Sequence, residues 1–418
     1  MQTRLSPEFA GTPEGLEAEA ILRKCVHCGF CTATCPTYQL LGDELDGPRG
    51  RIYLMKQVLE GEKPTRKTQM HLDRCLTCRN CESTCPSGVQ YGHLLDIGRK
   101  IVDAKVPRPT PEKALRWALK EGLPSPLFAP AMKMGQAVRG LLPAALQAKV
   151  PAKQEAGAWP TRSHARKVLM LAGCVQPSMM PNINAATARV LDAAGIQTVV
   201  APKAGCCGAV KFHLNDQDGG RAEMRANIDA WWPMIASGEV EALVMNASGC
   251  GVTVREYGHF LKDDPAYAEK AQRIGELTRD LSELLPAIVA ALRQSRPERV
   301  PGPPAGDAGA GRHLAFHPPC SLQHGQQLRG AVEQHLAAFG FKVQVARSES
   351  HLCCGSAGTY SVLNPDLSHK LRDRKLGHLG ELEPDVIVSA NIGCITHLQS
   401  GTPTPVRHWV EVLDEHLR

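Results

Sequence analysis

The sequence predicts a multidomain α+β and α/β chain, a small helical N-terminal unit followed by two tandem α/β repeats. Three observations predict it. One spacing of four cysteines and a proline is written twice, at Cys25, Cys28, Cys31, Cys35 and Pro36 and again at Cys75, Cys78, Cys81, Cys85 and Pro86. The other eight of the sixteen cysteines form two further sets of four, each member displaced from its counterpart by 146, 147 or 144 residues. Within each of those copies apolar strand-like runs alternate with helical stretches, the pattern of a β-α-β fold with a mostly parallel sheet.

The doubled Cys-x2-Cys-x2-Cys-x3-Cys-Pro spacing is that of a two-cluster bacterial-type ferredoxin. Three thiolates within seven residues reach three irons of one cluster, and the remote cysteine serves the other cluster. Cys25, Cys28 and Cys31 therefore pair with Cys85 around one 4Fe-4S cluster, and Cys75, Cys78 and Cys81 pair with Cys35 around the second. Pro36 and Pro86 stop each ligand loop by removing an amide donor and fixing φ. Disulfides need an oxidising compartment, and MQTRLSPEFAGTPEG has no apolar core of a signal peptide. Structural zinc more often takes two ligands per knuckle with a longer gap between pairs.

Residues 1–120 read as this ferredoxin unit. Pro48 stands where a helix can begin, Ile52, Met55 and Leu59 recur at helical spacing, and Gly61 ends the run. Gly92 to Lys105 reads as a second helix through Leu94, Leu95, Ile97 and Ile101. Residues 121–165 read as a basic, Pro/Ala-rich linker with one or two amphipathic helices. No acidic side chain occurs from 122 to 154, where Lys133, Arg139, Lys149 and Lys153 lie among apolar residues, a composition suited to a linker, a partner-packing helix or a membrane-surface helix.

The first repeat spans 166–293 and the second 313–418, joined by a Pro/Gly-rich linker at 294–312. In each, a strand-like run leads to the first cysteine, KVLMLAGC at Cys174 and HLAFHPPC at Cys320. A helical stretch ending at Gly195 or Gly340 precedes a second strand, QTVV or KVQV, and a third, ALVM or VIVS, delivers Cys250 or Cys394. Adjacent cysteines at Cys206–Cys207 and Cys353–Cys354 would face opposite sides of an extended strand. A tight turn at Gly208 or Gly355 lets both face one centre. Two four-thiolate sets result: Cys174, Cys206, Cys207 and Cys250, and Cys320, Cys353, Cys354 and Cys394. Each suits an iron-sulfur cluster or zinc, with a redox-active vicinal disulfide or buried structural thiols as alternatives.

Composition narrows the function classes. The net charge of +6 is spread along the chain without a compact basic run, which argues against nucleic acid. No apolar stretch approaches the ~20 residues of a membrane-spanning helix, so a cytoplasmic location is expected. The glycines near residue 305 precede a strand instead of following one, so they make no dinucleotide loop.

The two Cys-Cys-Gly copies resemble the cysteine-rich domains of heterodisulfide reductases, anaerobic glycerol-3-phosphate dehydrogenase subunits and lactate-utilisation proteins. CVHCGFCTATCPTYQLLGDELDGPRGRIYLMKQVLEG, HLDRCLTCRNCESTCPSG, ASGCG, HLCCGSAGTY and ANIGC resemble the iron-sulfur subunits of bacterial glycolate oxidases over nearly the whole chain. That resemblance implies a helical ferredoxin domain like those of respiratory iron-sulfur subunits. It further implies electron transfer beside a flavin-containing catalytic subunit and a second flavin-type subunit, oxidation of glycolate to glyoxylate, and delivery to a quinone pool at the inner face of the cytoplasmic membrane. The iron-sulfur subunit of a related lactate or glycerol-3-phosphate dehydrogenase is the neighbouring expectation. Heterodisulfide-reductase repeats end in Cys-x2-Cys, but here the last positions are Thr253 and His397. A self-contained thiol or disulfide reductase is therefore disfavoured, and His397 is expected to hydrogen-bond or pack instead of ligating.

Overall fold

The computed structural model describes residues 1–143, 147, 150–303 and 311–418. Its N-terminal unit is a packet of helices around an apolar core. Helix Pro13–Lys24 starts at Thr12, whose Oγ1 accepts from the Gly15 amide at 3.1 Å, and buries Ala18, Ile21 and Leu22. Helix Pro48–Leu59 begins on the expected proline and buries Ile52, Met55, Val58 and Leu59. Helix Tyr91–Lys105 contributes Leu94, Leu95, Ile101 and Val102 to the same core. Fully burying a side chain of this size is worth about 1.5–3 kcal/mol. Pro36 does more than end a loop. It is the first residue of helix Pro36–Leu41, a position where the missing amide would have lacked a partner anyway.

The acid-free segment is partly helical, with Phe128–Ala137 followed by a 3-10 turn at Arg139–Leu141. Lys149 lies outside the described residues.

The first repeat holds β1 (Arg166–Met170), β2 (Ile196–Val199), β3 (Ala242–Met245) and β4 (Thr278–Asp280), all parallel in the order β2-β1-β3-β4. The second repeats this with β5 (His313–His317), β6 (Lys342–Val345), β7 (Val386–Ser389) and β8 (Val406–His408), in the order β6-β5-β7-β8. The sequence predicts three strands per copy. The fourth, at one edge of each sheet, is three residues long, too short to show an alternation.

The repeats share a core. Helix Asn182–Ala193 packs on helix Trp409–Leu417, where Arg189 Nη2 meets Asp414 Oδ2 at 2.8 Å, and Ile183, Val190, Leu314 and Trp409 belong to one buried cluster. Their cysteine-bearing strand ends also meet: the Ser248 amide donates to Ala390 O at 3.0 Å and His408 Nε2 pairs with Asn246 O at 3.0 Å. Ligands collect at such carboxyl ends of parallel strands.

Candidate metal centres

The two N-terminal motifs use one backbone device. In each, the residues two and four places after the first cysteine are left-handed: His27 (φ 59°) and Gly29 (φ 88°) in the first, Thr77 (φ 52°) and Arg79 (φ 57°) in the second. Left-handed non-glycine residues are costly and persist where the surroundings hold them. These turns aim three thiols inward. Cys25, Cys28, Cys31 and Cys85 line one cavity, and Cys35, Cys75, Cys78 and Cys81 line the other, with Cys81 also at the border of the first. Burial, together with the thiols of Cys25, Cys85 and Cys28, pushes the Cys31 thiol up to about 11. Burial and the thiols of Cys78, Cys75 and Cys35 push Cys81 up. None of the sixteen cysteines, all of them among the described residues, is in a disulfide. Two sets of soft donors, each drawn from both motifs and costly to ionise without a cation, fit 4Fe-4S clusters.

The second site is the more insulated. Arg51 is fully buried, donating to His71 O at 2.7 Å and to Thr37 Oγ1 at 3.2 Å, while Thr37 Oγ1 sits 3.3 Å from Cys35 Sγ. Burial opposes its charge, yet Tyr91, Cys75, Cys35 and Asp46 around it favour the guanidinium. Tyr91 donates its hydroxyl to Cys75 Sγ at 3.6 Å, and the Thr77 amide reaches the same sulfur at 3.4 Å. Arg99 Nη2 holds Leu72 O and Cys75 O, each at 2.7 Å, fixing the chain as it enters the motif. Sequence reasoning missed Arg51 and Tyr91. Arginine inside a helix reads as a surface residue until the fold places it.

In the first repeat Gly208 (φ 92°) opens a helix immediately after Cys207, and its Cβ would lie 2.8 Å from Gly220 O, so this turn admits no side chain. The thiols form a chain of contacts from Cys174 to Cys206, Cys207 and Cys250. Hydrogen bonds from Cys174 and Cys207, aided by the Gly208 and Val210 amides, hold Cys206 well below its usual value against burial. Glu223, which the sequence did not flag, lies beside Cys206, and burial together with the Cys206 charge pushes it up to about 8.

The second repeat has the same turn at Gly355 (φ 90°). Cys320 Sγ lies 3.8 Å from Cys353 Sγ, which in turn contacts Cys354, and Cys354 contacts Cys394. This set abuts the N-terminal unit. Cys78 and Cys320 feel one another's charge, and Leu76, Cys353, Tyr360 and Leu371 form a buried cluster across the boundary. The positions that would carry a fifth cysteine are otherwise engaged. Thr253 Oγ1 donates to Gly249 O at 3.2 Å, and His397 Nε2 lies 3.0 Å from Ser368 Oγ.

Known domain families match three stretches of the chain. A 4Fe-4S dicluster domain matches residues 21–89, and a cysteine-rich domain matches twice, at 168–255 and 314–399. The chain is 55% identical over 422 aligned residues to the glycolate oxidase iron-sulfur subunit of Escherichia coli (strain K12), covering 100% of this chain and 99% of that protein. It is 31% identical to the probable glycolate oxidase iron-sulfur subunit of Bacillus subtilis (strain 168), covering 92% of this chain and 89% of the relative. Lactate utilization protein A of Bacillus licheniformis aligns at 26% identity with 59% of the chain and 99% of its own length.

Proposed function

This chain belongs to the family of glycolate oxidase iron-sulfur subunits, and from that premise we propose that it carries single electrons from a flavin-bearing partner oxidising glycolate to glyoxylate toward a membrane quinone. It is a subunit of an oxidoreductase complex. In this reading Cys25, Cys28, Cys31 and Cys85 hold one 4Fe-4S cluster, Cys75, Cys78, Cys81 and Cys35 the second, and Cys174, Cys206, Cys207 and Cys250 a further centre. A bound 4Fe-4S cluster supplies reversible one-electron transfer at a potential set by its surroundings. The chain's own residues set those surroundings. Arg51, Tyr91 and the Thr77 amide direct positive charge and N–H or O–H dipoles toward the sulfurs of the second site.

The observation that carries the reading is a gradient of burial along the cysteine sets. Cys28 is exposed, exposed Val26 and Phe30 flank it in the chain, and the exposed Tyr53 ring lies 6.3 Å from that of His27 beside it, an apolar apron suited to a protein partner. The second motif and the second repeat lie buried against each other behind it. Replacing Cys28 by Ser in the copurified complex tests the role. Glycolate is expected still to bleach the flavin in a single turnover while steady-state quinone reduction collapses. Undiminished quinone turnover in an assembled variant depleted of about four irons would overturn it.

No helix among the described residues is long and apolar enough to cross a membrane. Contact with the bilayer is assigned to the segment from Trp117 to Leu141, where Trp117, Leu127, Met134 and Leu141 are exposed and Lys133 and Arg139 add positive charge. Charge reversal at Lys133, Arg139 and Lys153 is expected to release the complex from anionic vesicles. Unchanged binding would return the segment to a linker or partner contact.

A further inference from the structure

His317 ends β5, three residues before Cys320, and is 1% exposed. Among the described residues neither ring nitrogen has a hydrogen-bond partner. Leaving both nitrogens of a buried imidazole unsatisfied is costly, so native structures almost always give it a partner. One ring nitrogen of His317 and the sulfurs of Cys354 and Cys394 all lie within 4.8 Å of one another, and all three residues are buried. The first repeat lacks this feature, since Leu171 occupies the matching place before Cys174.

We infer that His317 is a metal ligand, and that the second repeat holds one zinc-class divalent cation between His317, Cys354 and Cys394, with Cys353 closing the fourth corner. The donor chemistry favours zinc over a cluster. Tetrahedral zinc takes imidazole nitrogen at about 2.0 Å and thiolate at about 2.3 Å, which sets neighbouring ligand atoms roughly 3.5–3.8 Å apart. Donors already within 4.8 Å need only a small contraction to meet one ion. Cys353 is available because its thiol contacts that of Cys354. Cys320 is then left at the boundary, facing Cys78. This reading departs from a set of cysteines alone, and it stands whether or not the chain's electron partner is a glycolate-oxidising flavoprotein. On binding, the cation displaces the thiol protons of the three cysteines to solvent, and no electron moves.

The test uses the full-length protein purified without oxygen. Wild type is expected to retain about one zinc per chain, and zinc-edge X-ray absorption should read one nitrogen and three sulfurs. His317→Ala is expected to lower zinc retention at least about tenfold while its iron stays unchanged. His317→Cys should restore the zinc with a four-sulfur edge. In the cobalt-substituted protein the same exchange should strengthen the near-ultraviolet sulfur-to-metal band. Because His317→Ala could unfold the repeat, the absorption edge of the wild type decides independently. Four sulfurs in the wild type, zinc retained in His317→Ala, or no zinc and extra irons that disappear in Cys354→Ser would each overturn the assignment.

Discussion

The two cysteine-rich repeats carry the same four cysteines on the same four-stranded parallel sheet, yet the N-terminal unit grips them by different forces. The first is held by charge. Arg79 forms a two-pronged pair with Glu256, its Nη2 to Oε2 distance 2.6 Å, and His93 Nε2 lies 3.3 Å from Glu256 Oε1. The second is held by apolar burial and neutral hydrogen bonds: Leu76 among Cys353, Tyr360 and Leu371, the Tyr360 hydroxyl donating to Arg74 O at 3.2 Å, and Ser83 Oγ 2.8 Å from His324 Nδ1. Duplication therefore preserved the scaffold that presents the thiols and left their surroundings free to diverge. In the first repeat neighbouring thiols hold Cys206 low while pushing up Cys174 and Cys207, whereas in the second neighbouring thiols and burial push up Cys320, Cys353 and Cys354 together.

If this contrast is right, Glu256→Ala has the largest effect. It strands a largely covered but not fully buried Arg79 and is expected to destabilise the docked first repeat by about 2–3 kcal/mol, read from denaturant midpoints. Burial alone would raise the Glu256 carboxyl, but His93 and Arg79 bring it down to about 2. Its contribution is thus complete above the ordinary carboxylate value and is lost as pH falls toward 2. The stability gap between wild type and Glu256→Gln should accordingly close on acidification from pH 5, and a gap that persists at pH 2 would refute the charge-based attachment.

Arg51→Gln comes next. Removing a buried positive charge beside Cys35 and Cys75 should lower the midpoint potential of the second site by on the order of 100 mV and leave the first in place, as followed by EPR redox titration. Equal movement of both sites would mean that the arginine acts through folding. Leu171→His places an imidazole in the first repeat where the second has His317. Without a metal it should cost about 1–3 kcal/mol through burial of an unpaired polar ring, and with zinc supplied it should raise zinc uptake at the first repeat. Smallest is Tyr360→Phe, about 1 kcal/mol for one neutral hydrogen bond. A loss as large as that of Glu256→Ala would erase the distinction between the two interfaces.

Much of this architecture was legible because cysteine spacing is a local signal. The three longer strands of each repeat and the helix opening at Pro48 follow from residues close in sequence. The fourth strands escaped because three residues carry no alternation. Their signal lay just beyond, in the capping boxes of Asp280 with Glu283 and His408 with Glu411, which align the two copies once more. His317 was hidden by its place at the end of an apolar run, where it read as strand. Arg51, Tyr91 and Glu223 act across the fold, and nothing near them in sequence announces the sulfur they face.

The exposure of Cys28 also determines how the molecule wears out. Of the sixteen cysteines, all of them among the described residues, it alone lies open to solvent, while Cys25 in the same motif is buried. Oxidants arriving from solution therefore meet one sulfur first, and inactivation should begin as a single, ordered loss at that edge instead of random damage through the chain. The subunit alone should age faster than the assembled complex if a partner covers Val26 and Phe30. Assembly then serves as insulation, and the age of an unassembled chain becomes readable from which of its sites still holds iron.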